Sequence, residues 1–272
     1  MFATLDIGTH STLALIANPE KDGGIQLMAD RAIITKLGEG VSEAGFISKE
    51  AMDRTIAALK SYLKLFSQYK VKEVKAVGTA VLRNAQNATD FIKRVKNELG
   101  IDIEVLSAEK EARLTYESSA LDFGKDIIVI DIGGGSTEFI RGPKPLTIIS
   151  LPIGCVNLTE EFITSDPVYD VDEKSLRRSI FDYLHNDVNL DASSNIRSVV
   201  ATAGTATTLM AMNFELEQYD SKLIHGQELS RDSLGKLLDT LRSKNIYERR
   251  NLAGLPPERA EVIFAGTVML DE

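Results

Sequence analysis

Two short segments, half a chain apart, carry Asp, Gly, Ser and Thr in the same order and could act on a phosphate group. The first is DIGTHSTL at residues 6–13, and the second is DIGGGSTE at residues 131–138, an offset of 125 residues. In each, an apolar run ends in Asp, a glycine-containing turn follows, and a Ser-Thr pair leads into a second strand. The repeat predicts two hairpins in a duplicated two-domain protein with a cleft between the domains.

The glycines of these turns are suited to binding an anion. Successive glycines let backbone N–H groups converge because no Cβ atom intervenes. The run Gly133-Gly134-Gly135-Ser136 has this character, and the turn after Gly8 is a weaker counterpart. The sequence contains neither a Walker GxxxxGK[ST] motif nor a Rossmann GxGxxG motif, so those two modes of phosphate binding are excluded.

Carboxylates accompany the predicted turns. Asp6 and Asp131 stand at the ends of their strands and offer the hard oxygen ligands that Mg²⁺ prefers. Glu138 follows Asp131 by seven residues, and a hairpin would return it toward the strand end. The spacing therefore permits a cation beside a bound phosphate.

Each feature also has a purely structural explanation. A single DIG segment indicates only a strand followed by a turn. Glu109 and Glu111 begin a helical pattern, where the helix dipole favours carboxylates, and their spacing alone favours that explanation. For Arg83, the alternative explanation is an ordinary surface cation. His10 is interpreted as a loop residue, because three scattered histidines and one cysteine lack metal-site spacing.

The order of elements predicts an α/β fold. Ser48 is a candidate N-cap and Gly100 a candidate helix end. Buried strands are predicted at residues 2–7, 13–17, 74–78, 127–132 and 198–203, and helices at 48–66, 89–99, 108–121, 173–184, 231–244 and 257–270. A boundary or hinge is predicted near 121–125, which gives domains 1–120 and 121–272.

The charge balance narrows the class of ligand. The 272 residues include 31 Lys and Arg against 40 Asp and Glu, a net charge of −9. This argues against duplex nucleic acid or an anionic membrane as partner, because both need clustered cations. A polyanion would require a local basic channel or a metal, since distant carboxylates are screened within about 8 Å.

The single cysteine, Cys155, cannot form an intrachain disulfide, which excludes a disulfide-stapled secreted fold and favours the cytoplasm. It lies in an apolar stretch and is predicted to pack in a core. The first residues, MFATLDIGTH, contain an early acidic residue without a preceding basic region, so they predict a strand rather than a signal peptide. No run reaches the length of about 18 apolar residues typical of a transmembrane helix.

A set of motifs in this order resembles the exopolyphosphatase/guanosine pentaphosphate phosphohydrolase (Ppx/GppA) family. They are DIGTHS (6–11), VGTAVLRNAQN (77–87), VLSAEKEARL (105–114), VIDIGGGSTEF (129–139), SLPIGCVNLTEEF (150–162), ATAGTATTLMA (201–211) and NLAGLPPERAEVIFAG (251–266). The resemblance covers nearly the whole chain. It implies the duplicated actin-like ATPase (ribonuclease H-like) fold of the sugar kinase/Hsp70/actin superfamily. It also implies Mg²⁺-dependent hydrolysis of the terminal phosphate of polyphosphate or the 5′ γ-phosphate of pppGpp.

The same resemblance implies roles for individual residues. Glu111 becomes the general base, and Asp131 and Glu138 become the Mg²⁺ ligands, directly or through water. The implied phosphate contacts are Thr9, Ser11, Arg83, Gly133, Gly134, Gly135, Ser136, Gly204 and Thr205. The resemblance therefore replaces the helix-dipole explanation for Glu111 but not for Glu109.

The sequence departs from the family pattern at three places, and several alternatives stay open. His10 stands where relatives commonly have Asn, and Lys110 where an acid is common. Relatives usually continue beyond the position of Glu272, so this is either a short member or one without its final C-terminal element. Alternative functions are a phosphotransferase of the same superfamily and a non-catalytic sensor of polyphosphate or pppGpp. The choice between these two ligands and the presence of a homodimer also stay open.

Overall fold

The protein packs as two compact units, described here from a computed structural model that covers residues 1–20, 24–142, 146–189 and 196–272. Unit 1 is Met1–Glu111 and unit 2 is Ala112–Glu272. The division lies nine residues before the one predicted at 120/121, and it falls inside the helix Ala108–Phe123 rather than in a loop. The domain limits 1–120 and 121–272 stay a prediction.

Unit 1 contains a five-stranded sheet. Its strands are β1 (Phe2–Ile7), β2 (Ser11–Pro19), β3 (Ile25–Ile34), β4 (Glu73–Gly78) and β5 (Ile103–Val105). Its helices are α1 (Val41–Ala44), α2 (Lys49–Gln68), α3 (Ala80–Asn84), α4 (Ala88–Leu99) and the first residues of α5 (Ala108–Phe123). The strand order is β3-β2-β1-β4-β5, with β1 antiparallel to β2 and parallel to β4.

Unit 2 contains a four-stranded sheet with more helices around it. Its strands are β6 (Ile127–Ile132), β7 (Thr137–Arg141), β8 (Thr147–Leu151) and β9 (Ser198–Thr202). Its helices are the rest of α5, α6 (Cys155–Phe162), α7 (Asp170–Asp187), α8 (Ala203–Asn213), α9 (Ser221–Ile224), α10 (Arg231–Arg242), α11 (Ile246–Arg249), a 3-10 helix (Pro257–Arg259) and α12 (Ile263–Asp271). The strand order is β8-β7-β6-β9.

The two sheets repeat one plan, which confirms the duplicated α/β fold. In each, the first strand forms a hairpin with the second, the third pairs antiparallel with the second, and the fourth is parallel to the first. Asp6 pairs with Leu13 across the first hairpin, and Asp131 pairs with Glu138 across the second. The 125-residue offset between the two sequence motifs is therefore also the offset between the paired residues of the two hairpins.

Local signals set several of the helix ends. The hydroxyl of Ser48 accepts a hydrogen bond from the backbone N–H of Ala51 at 3.1 Å, as an N-cap residue does. Gly100 ends α4 with φ of 72°, a left-handed conformation that glycine adopts without steric cost. Both predicted helix ends are confirmed.

The sheet of unit 2 is covered on both faces. One face carries Ile132 and packs against α6, α7, α8, α10 and α12. The other carries Ile127 and Val129, which pack against Ala112 and Tyr116 of α5. Because side chains alternate along a strand, Asp131 lies on the α5 face, at the end of the strand where this apolar cluster stops.

Some elements differ from the sequence-based expectation. The helix predicted at 257–270 is interrupted: a 3-10 helix covers Pro257–Arg259, and α12 begins at Ile263. Pro256 precedes the 3-10 helix and Pro257 is its first residue, and proline restricts the residue before it and removes a backbone donor. Among the helices in the described part of the chain, none combines the length and the apolar character needed to cross a membrane.

Candidate functional site

Both hairpin turns are closed by the same hydrogen bond. The N–H of Gly8 donates to the carbonyl of Ser11 at 3.0 Å, and the N–H of Gly133 donates to the carbonyl of Ser136 at 3.0 Å. An added Cβ at Gly8 or at Gly133 would lie 3.1 Å from the carbonyl oxygen that closes the turn. The two predicted phosphate turns therefore have the same hydrogen-bonded structure.

The N-terminal end of α6 holds the carbonyl groups of the second turn. Backbone N–H groups of Cys155 and Val156 donate to the carbonyls of Gly133 and Gly134, at 3.0 and 2.8 Å. The carbonyl of Gly135 accepts from the side-chain amide of Asn157 at 3.3 Å. With its carbonyls fixed on one side, the glycine run has a defined orientation in the absence of any ligand.

Three N–H groups of the same turn differ from its carbonyl groups in their hydrogen bonding. Within the described ranges, no acceptor is assigned to the N–H groups of Gly134, Gly135 and Ser136. These residues lie in the turn that the Gly133–Ser136 hydrogen bond closes, and successive N–H groups of a turn can form the concave anion site called a nest. The structure therefore gives the predicted phosphate residues of unit 2 a geometry that suits an anion.

Gly154 allows α6 to approach the turn. A Cβ atom at this position would lie 2.6 Å from the carbonyl oxygen of Gly133 and 2.6 Å from the carbonyl carbon of Gly134. Both are backbone atoms and cannot move aside without deforming the turn. Glycine at this position is thus a steric requirement of the predicted phosphate site.

The first turn, in unit 1, is held by a different segment. The carbonyl of Thr9 accepts from the N–H of Gly38 at 2.8 Å, and the carbonyl of His10 accepts from the N–H groups of Thr35 and Lys36 at 3.0 and 2.9 Å. Thr9 and Ser11 lie in this turn, as predicted from their positions in the motif. His10 is buried and lies in this turn, between β1 and β2, where a loop residue was predicted.

The carboxylates of unit 2 face each other across the hairpin. Asp131 on β6 and Glu138 on β7 are directly paired, so both side chains project from the same face of the sheet. Glu138 is 2% exposed, and its Oε1 accepts from the hydroxyl of Ser150 at 2.8 Å. Thr115 on α5 donates to Oδ2 of Asp131 at 3.4 Å.

This donor set fits Mg²⁺. Two carboxylates directly opposite on neighbouring strands repel each other, and a divalent cation would remove that repulsion. Mg²⁺ commonly takes one or two protein carboxylates and completes its shell with water and substrate phosphate. No group of three or more His, Cys, Asp or Glu is arranged to bind a metal ion in the ranges that the structure describes. Asp131 and Glu138 together supply the two carboxylates that Mg²⁺ commonly takes from a protein.

Arg83 and Glu111 form an ion pair within unit 1. Nη1 of Arg83 lies 2.5 Å from Oε2 of Glu111 and also donates to the carbonyl of Leu106 at 2.9 Å. The two charged side chains are 19% and 21% exposed, so both reach solvent but neither is a free surface group. The predicted base and a predicted phosphate contact are thereby brought together.

Gly204 and Thr205, which were predicted in a third glycine-containing loop, instead lie in the first turn of α8, because the helix begins at Ala203 directly after β9. A Cβ atom at Gly204 would lie 2.2 Å from Nη1 and Nη2 of Arg259, so the guanidinium packs directly on the backbone of this turn. Burial lowers the pKa of Arg259 from its ordinary value, but an arginine side chain stays protonated in proteins. Thr205 is 1% exposed. A cation therefore lies beside two predicted phosphate residues.

Sequence reasoning missed Arg259, and it also missed a second internal repeat. Gly78-Thr79-Ala80 spans the end of β4 and the start of α3, and Gly204-Thr205-Ala206 lies in the first turn of α8, after β9. Each segment lies at the end of the strand that pairs parallel with the Asp-bearing strand, at an offset of 126 residues rather than 125. This repeat was the signal that could have placed Gly204 and Thr205 within the same duplication.

Cys155 lies between the glycine turn after β6 and the first turn of α8. Its N–H holds the glycine run, and a Cβ atom at Gly266 would touch both Cys155 Cβ, at 3.2 Å, and Thr205 Oγ1, at 2.7 Å. Burial raises the pKa of the Cys155 thiol, although nearby Arg259 and the Thr205 hydroxyl oppose that shift. The thiol is buried, as predicted, and its raised pKa disfavours a role as nucleophile.

The basic face of α4 is already paired with acidic neighbours. Nη1 of Arg94 lies 2.6 Å from Asp53 and its Nε 2.7 Å from Glu98, while Lys96 lies 2.5 Å from Asp102. These pairs reduce the attraction that Arg94 and Lys96 would exert on a polyanion.

Comparison with known proteins places the chain in a family. Residues 16–272 match the sequence profile of the Ppx/GppA phosphatase family. The chain belongs to this family. Exopolyphosphatase 2 of Mycobacterium tuberculosis is 30% identical over 99% of this chain and 88% of its own length. A crystal structure of the Ppx/GppA family member of Aquifex aeolicus is 35% identical, with a TM-score of 0.78 over 99% of this chain and 88% of that one.

A second relative shows this family sequence as part of a larger protein. The bifunctional 3-dehydroquinate synthase/phosphatase of Fusobacterium nucleatum is 35% identical over 99% of this chain, which spans 42% of that relative's length. The family resemblance and the actin-like fold class predicted from the sequence are confirmed. The individual site roles stay predictions.

Proposed function

We propose that this protein hydrolyses the terminal phosphoanhydride bond of inorganic polyphosphate with Mg²⁺. The observation that carries the proposal is the paired Asp131 and Glu138 on the hairpin whose glycine turn has its carbonyls bonded and its N–H groups without assigned acceptors in the described ranges. The exopolyphosphatase relative supports the choice of substrate. The buried free thiol of Cys155 supports a reducing, cytoplasmic location.

The proposed phosphate site combines backbone donors with cations. N–H groups of Gly134, Gly135 and Ser136 donate to the oxygens of the terminal phosphate, as a nest does. Arg83 adds a charge-assisted hydrogen bond. The remaining proposed contacts are Thr9, Ser11, Gly133, Gly204 and Thr205. A polyanion can therefore be bound locally by a chain whose net charge is −9.

Asp131 and Glu138 are the residues that would hold Mg²⁺. When bound, Mg²⁺ would supply positive charge that neutralises phosphate oxygens during transfer, where most phosphoryl-transfer catalysis resides. The two carboxylates supply the oxygen ligands, and the hydrogen bond from Ser150 fixes one of them. We propose no further protein ligand from the described residues.

Glu111 is the proposed general base. Its carboxylate accepts a proton from a water molecule as the water oxygen attacks the terminal phosphorus. The bridging P–O bond breaks, and its electron pair stays with the shortened chain. The products are orthophosphate and a polyphosphate one unit shorter. Arg83, which forms an ion pair with Glu111, also orients the carboxylate for this step.

The test is phosphate release from a panel of substrates. The purified full chain is incubated with short and long polyphosphate, pppGpp and ATP, with Mg²⁺ or with EDTA, and orthophosphate is measured together with the remaining chain lengths. We expect Mg²⁺-dependent release from polyphosphate, with products that shorten by one unit at a time. The pppGpp arm determines whether the 5′ γ-phosphate is also a substrate.

The same panel separates the alternatives. Transfer of phosphate from polyphosphate to added ADP, with ATP as product, would replace the hydrolase proposal by a phosphotransferase. Binding of polyphosphate or pppGpp without release of orthophosphate would replace it by a sensor. Asp131→Asn is the control for the cation, because it should shift the Mg²⁺ titration of the reaction to higher concentration.

A further inference from the structure

Four polar side chains form one row across the sheet of unit 2. Strand register pairs Ser150 on β8 with Glu138 on β7, Glu138 with Asp131 on β6, and Asp131 with Thr202 on β9. Residues paired in this way project from the same face of a sheet. The carboxylate pair is thus flanked by a hydroxyl on each side.

The first flanking hydroxyl already contacts its neighbour. Ser150 Oγ donates to Oε1 of Glu138 at 2.8 Å, and the Glu138 side chain is nearly inaccessible to solvent. A hydrogen bond to one carboxylate oxygen fixes the rotation of the group. Ser150 is therefore placed to orient Glu138.

The second flanking hydroxyl has no hydrogen-bond partner. Thr202 Oγ1 is buried, and no partner is found for it within the described ranges. A buried hydroxyl without a partner costs free energy, so its presence calls for a reason other than stability. It lies on the strand beside Asp131, on the face that carries both carboxylates.

Unit 1 provides an internal comparison. The equivalent row there contains Ala32, Leu13, Asp6 and Val77, from β3, β2, β1 and β4. The same strand order thus forms with apolar residues where unit 2 has Ser150, Glu138 and Thr202. The hydroxyls are not required by the fold, and they accompany the carboxylate pair.

We propose that Ser150 and Thr202 are positioning residues of a divalent-cation site formed by Asp131 and Glu138. Ser150 fixes the rotation of Glu138. The hydroxyl of Thr202 forms a hydrogen bond, as donor or acceptor, with a water molecule bound to the cation beside Asp131. This inference rests on the proposed function, since it concerns the same carboxylate pair. It adds two residues that take no direct part in the hydrolytic step.

The test measures cation binding without any substrate. Mn²⁺ substitutes for Mg²⁺, and its dissociation constant for the full chain is measured from the loss of the free Mn²⁺ electron paramagnetic resonance signal. The variants are Ser150→Ala, Thr202→Val, Thr202→Ser and Asp131→Asn. Thr147→Val is the matched control, because Thr147 lies on β8 but on the opposite face of the sheet from Ser150.

We expect Ser150→Ala and Thr202→Val each to weaken Mn²⁺ binding by roughly 10- to 100-fold, the usual effect of removing a residue that orients a metal ligand. Thr202→Ser should restore wild-type affinity, and Thr147→Val should not change it. The thermal midpoint of Thr202→Val should stay level or rise, because the variant removes an unpartnered buried hydroxyl. A purely structural role would not produce this separation of metal affinity from stability.

The outcomes also distinguish the two proposals. Unchanged Mn²⁺ affinity in Ser150→Ala and Thr202→Val, with loss of binding in Asp131→Asn, overturns the positioning roles and leaves the cation site in place. Unchanged affinity in Asp131→Asn overturns the cation site and this inference together. Normal Mn²⁺ binding with the expected variant effects, but no release of orthophosphate, supports the positioning roles and contradicts the proposed hydrolysis.

Discussion

Arg83 and Glu111 are 28 residues apart in sequence, yet Nη1 of the arginine lies 2.5 Å from Oε2 of the glutamate. The pair joins the last turn of α3 to the first turn of α5. Under the proposed function, Arg83 has two anionic partners, the carboxylate of the base and an oxygen of the incoming phosphate. The pair therefore places a proposed phosphate contact directly beside the proposed base.

Replacement of Glu111 by Gln should remove the base while keeping the size of the side chain. We expect kcat to fall by about 10²–10⁴-fold, the usual contribution of a general base, with KM close to that of the wild type. Steady-state phosphate release measures both constants. Glu109→Gln is the matched control, because Glu109 is exposed in the same helical turn. Near-wild-type turnover of Glu111→Gln would refute the assignment.

Arg83→Lys should keep the charge but lose the planar guanidinium, whose Nη1 donates to both Glu111 and the carbonyl of Leu106. We expect kcat/KM to fall by roughly 10- to 100-fold, in line with the loss of a hydrogen bond between charged groups. Arg94→Lys is the control, since Arg94 pairs with Asp53 and Glu98 at the surface. Equal effects of the two substitutions on kcat/KM would argue that Arg83 contributes only general charge.

Gly154→Ala should damage the phosphate turn because its Cβ atom would overlap the backbone of Gly133 and Gly134. We expect a loss of stability of about 1–3 kcal/mol, typical of overpacking, and a raised KM for polyphosphate. Urea unfolding and phosphate release measure the two effects. Gly235→Ala is the control: a Cβ at this position in α10 meets nothing within 4 Å, and alanine there should add about 0.5–1 kcal/mol. Tolerance of Gly154→Ala would contradict the close packing of α6 on the turn.

The buried thiol of Cys155 predicts a pH dependence of stability. Burial raises the pKa of the thiol in the folded state. Below the ordinary thiol pKa of about 8.5, the thiol is therefore protonated in both the folded and the unfolded state. Above that pH only the unfolded state releases the proton, and stability falls. By pH 9.5 this loss should reach up to about 1.4 kcal/mol.

The measurement for Cys155 is the urea midpoint at pH 7.5 and pH 9.5. The wild type should lose more stability over this interval than Cys155→Ala, in which the titrating group is absent. Other groups contribute equally to both proteins, so the comparison isolates the thiol. Parallel losses in the two proteins would show that Cys155 titrates alike in the folded and unfolded states.

The hairpins could be predicted from the sequence because their signal is local. Asp, a glycine turn and a Ser-Thr pair fit within eight residues, and the 125-residue offset supplies independent repetition. The start of α2 at Ser48 and the end of α4 at Gly100 are local in the same sense. Strand β3 lacked such a signal, because its exposed and buried positions do not alternate.

The rest of the candidate site depends on contacts between distant segments. Asp131 and Thr202 become neighbours only through the pairing of β6 with β9, and Arg259 meets Gly204 only through the packing of its loop. The role of α6 in holding the glycine turn has the same origin, since it needs the close approach that Gly154 allows. Strand register and loop packing are collective results of folding, and no window of sequence encodes them.

Leu13 occupies in unit 1 the position that Glu138 occupies in unit 2, opposite the aspartate of its hairpin. A duplicated gene begins with two equivalent halves, and a change at one paired position is enough to make them unequal. The two halves of the protein thus differ at this paired position, where unit 2 has two acids and unit 1 has one. Since Leu13 is 40% exposed, a carboxylate would be tolerated there, and Leu13→Glu would rebuild the acidic pair of the other half on a scaffold that already has the register for it.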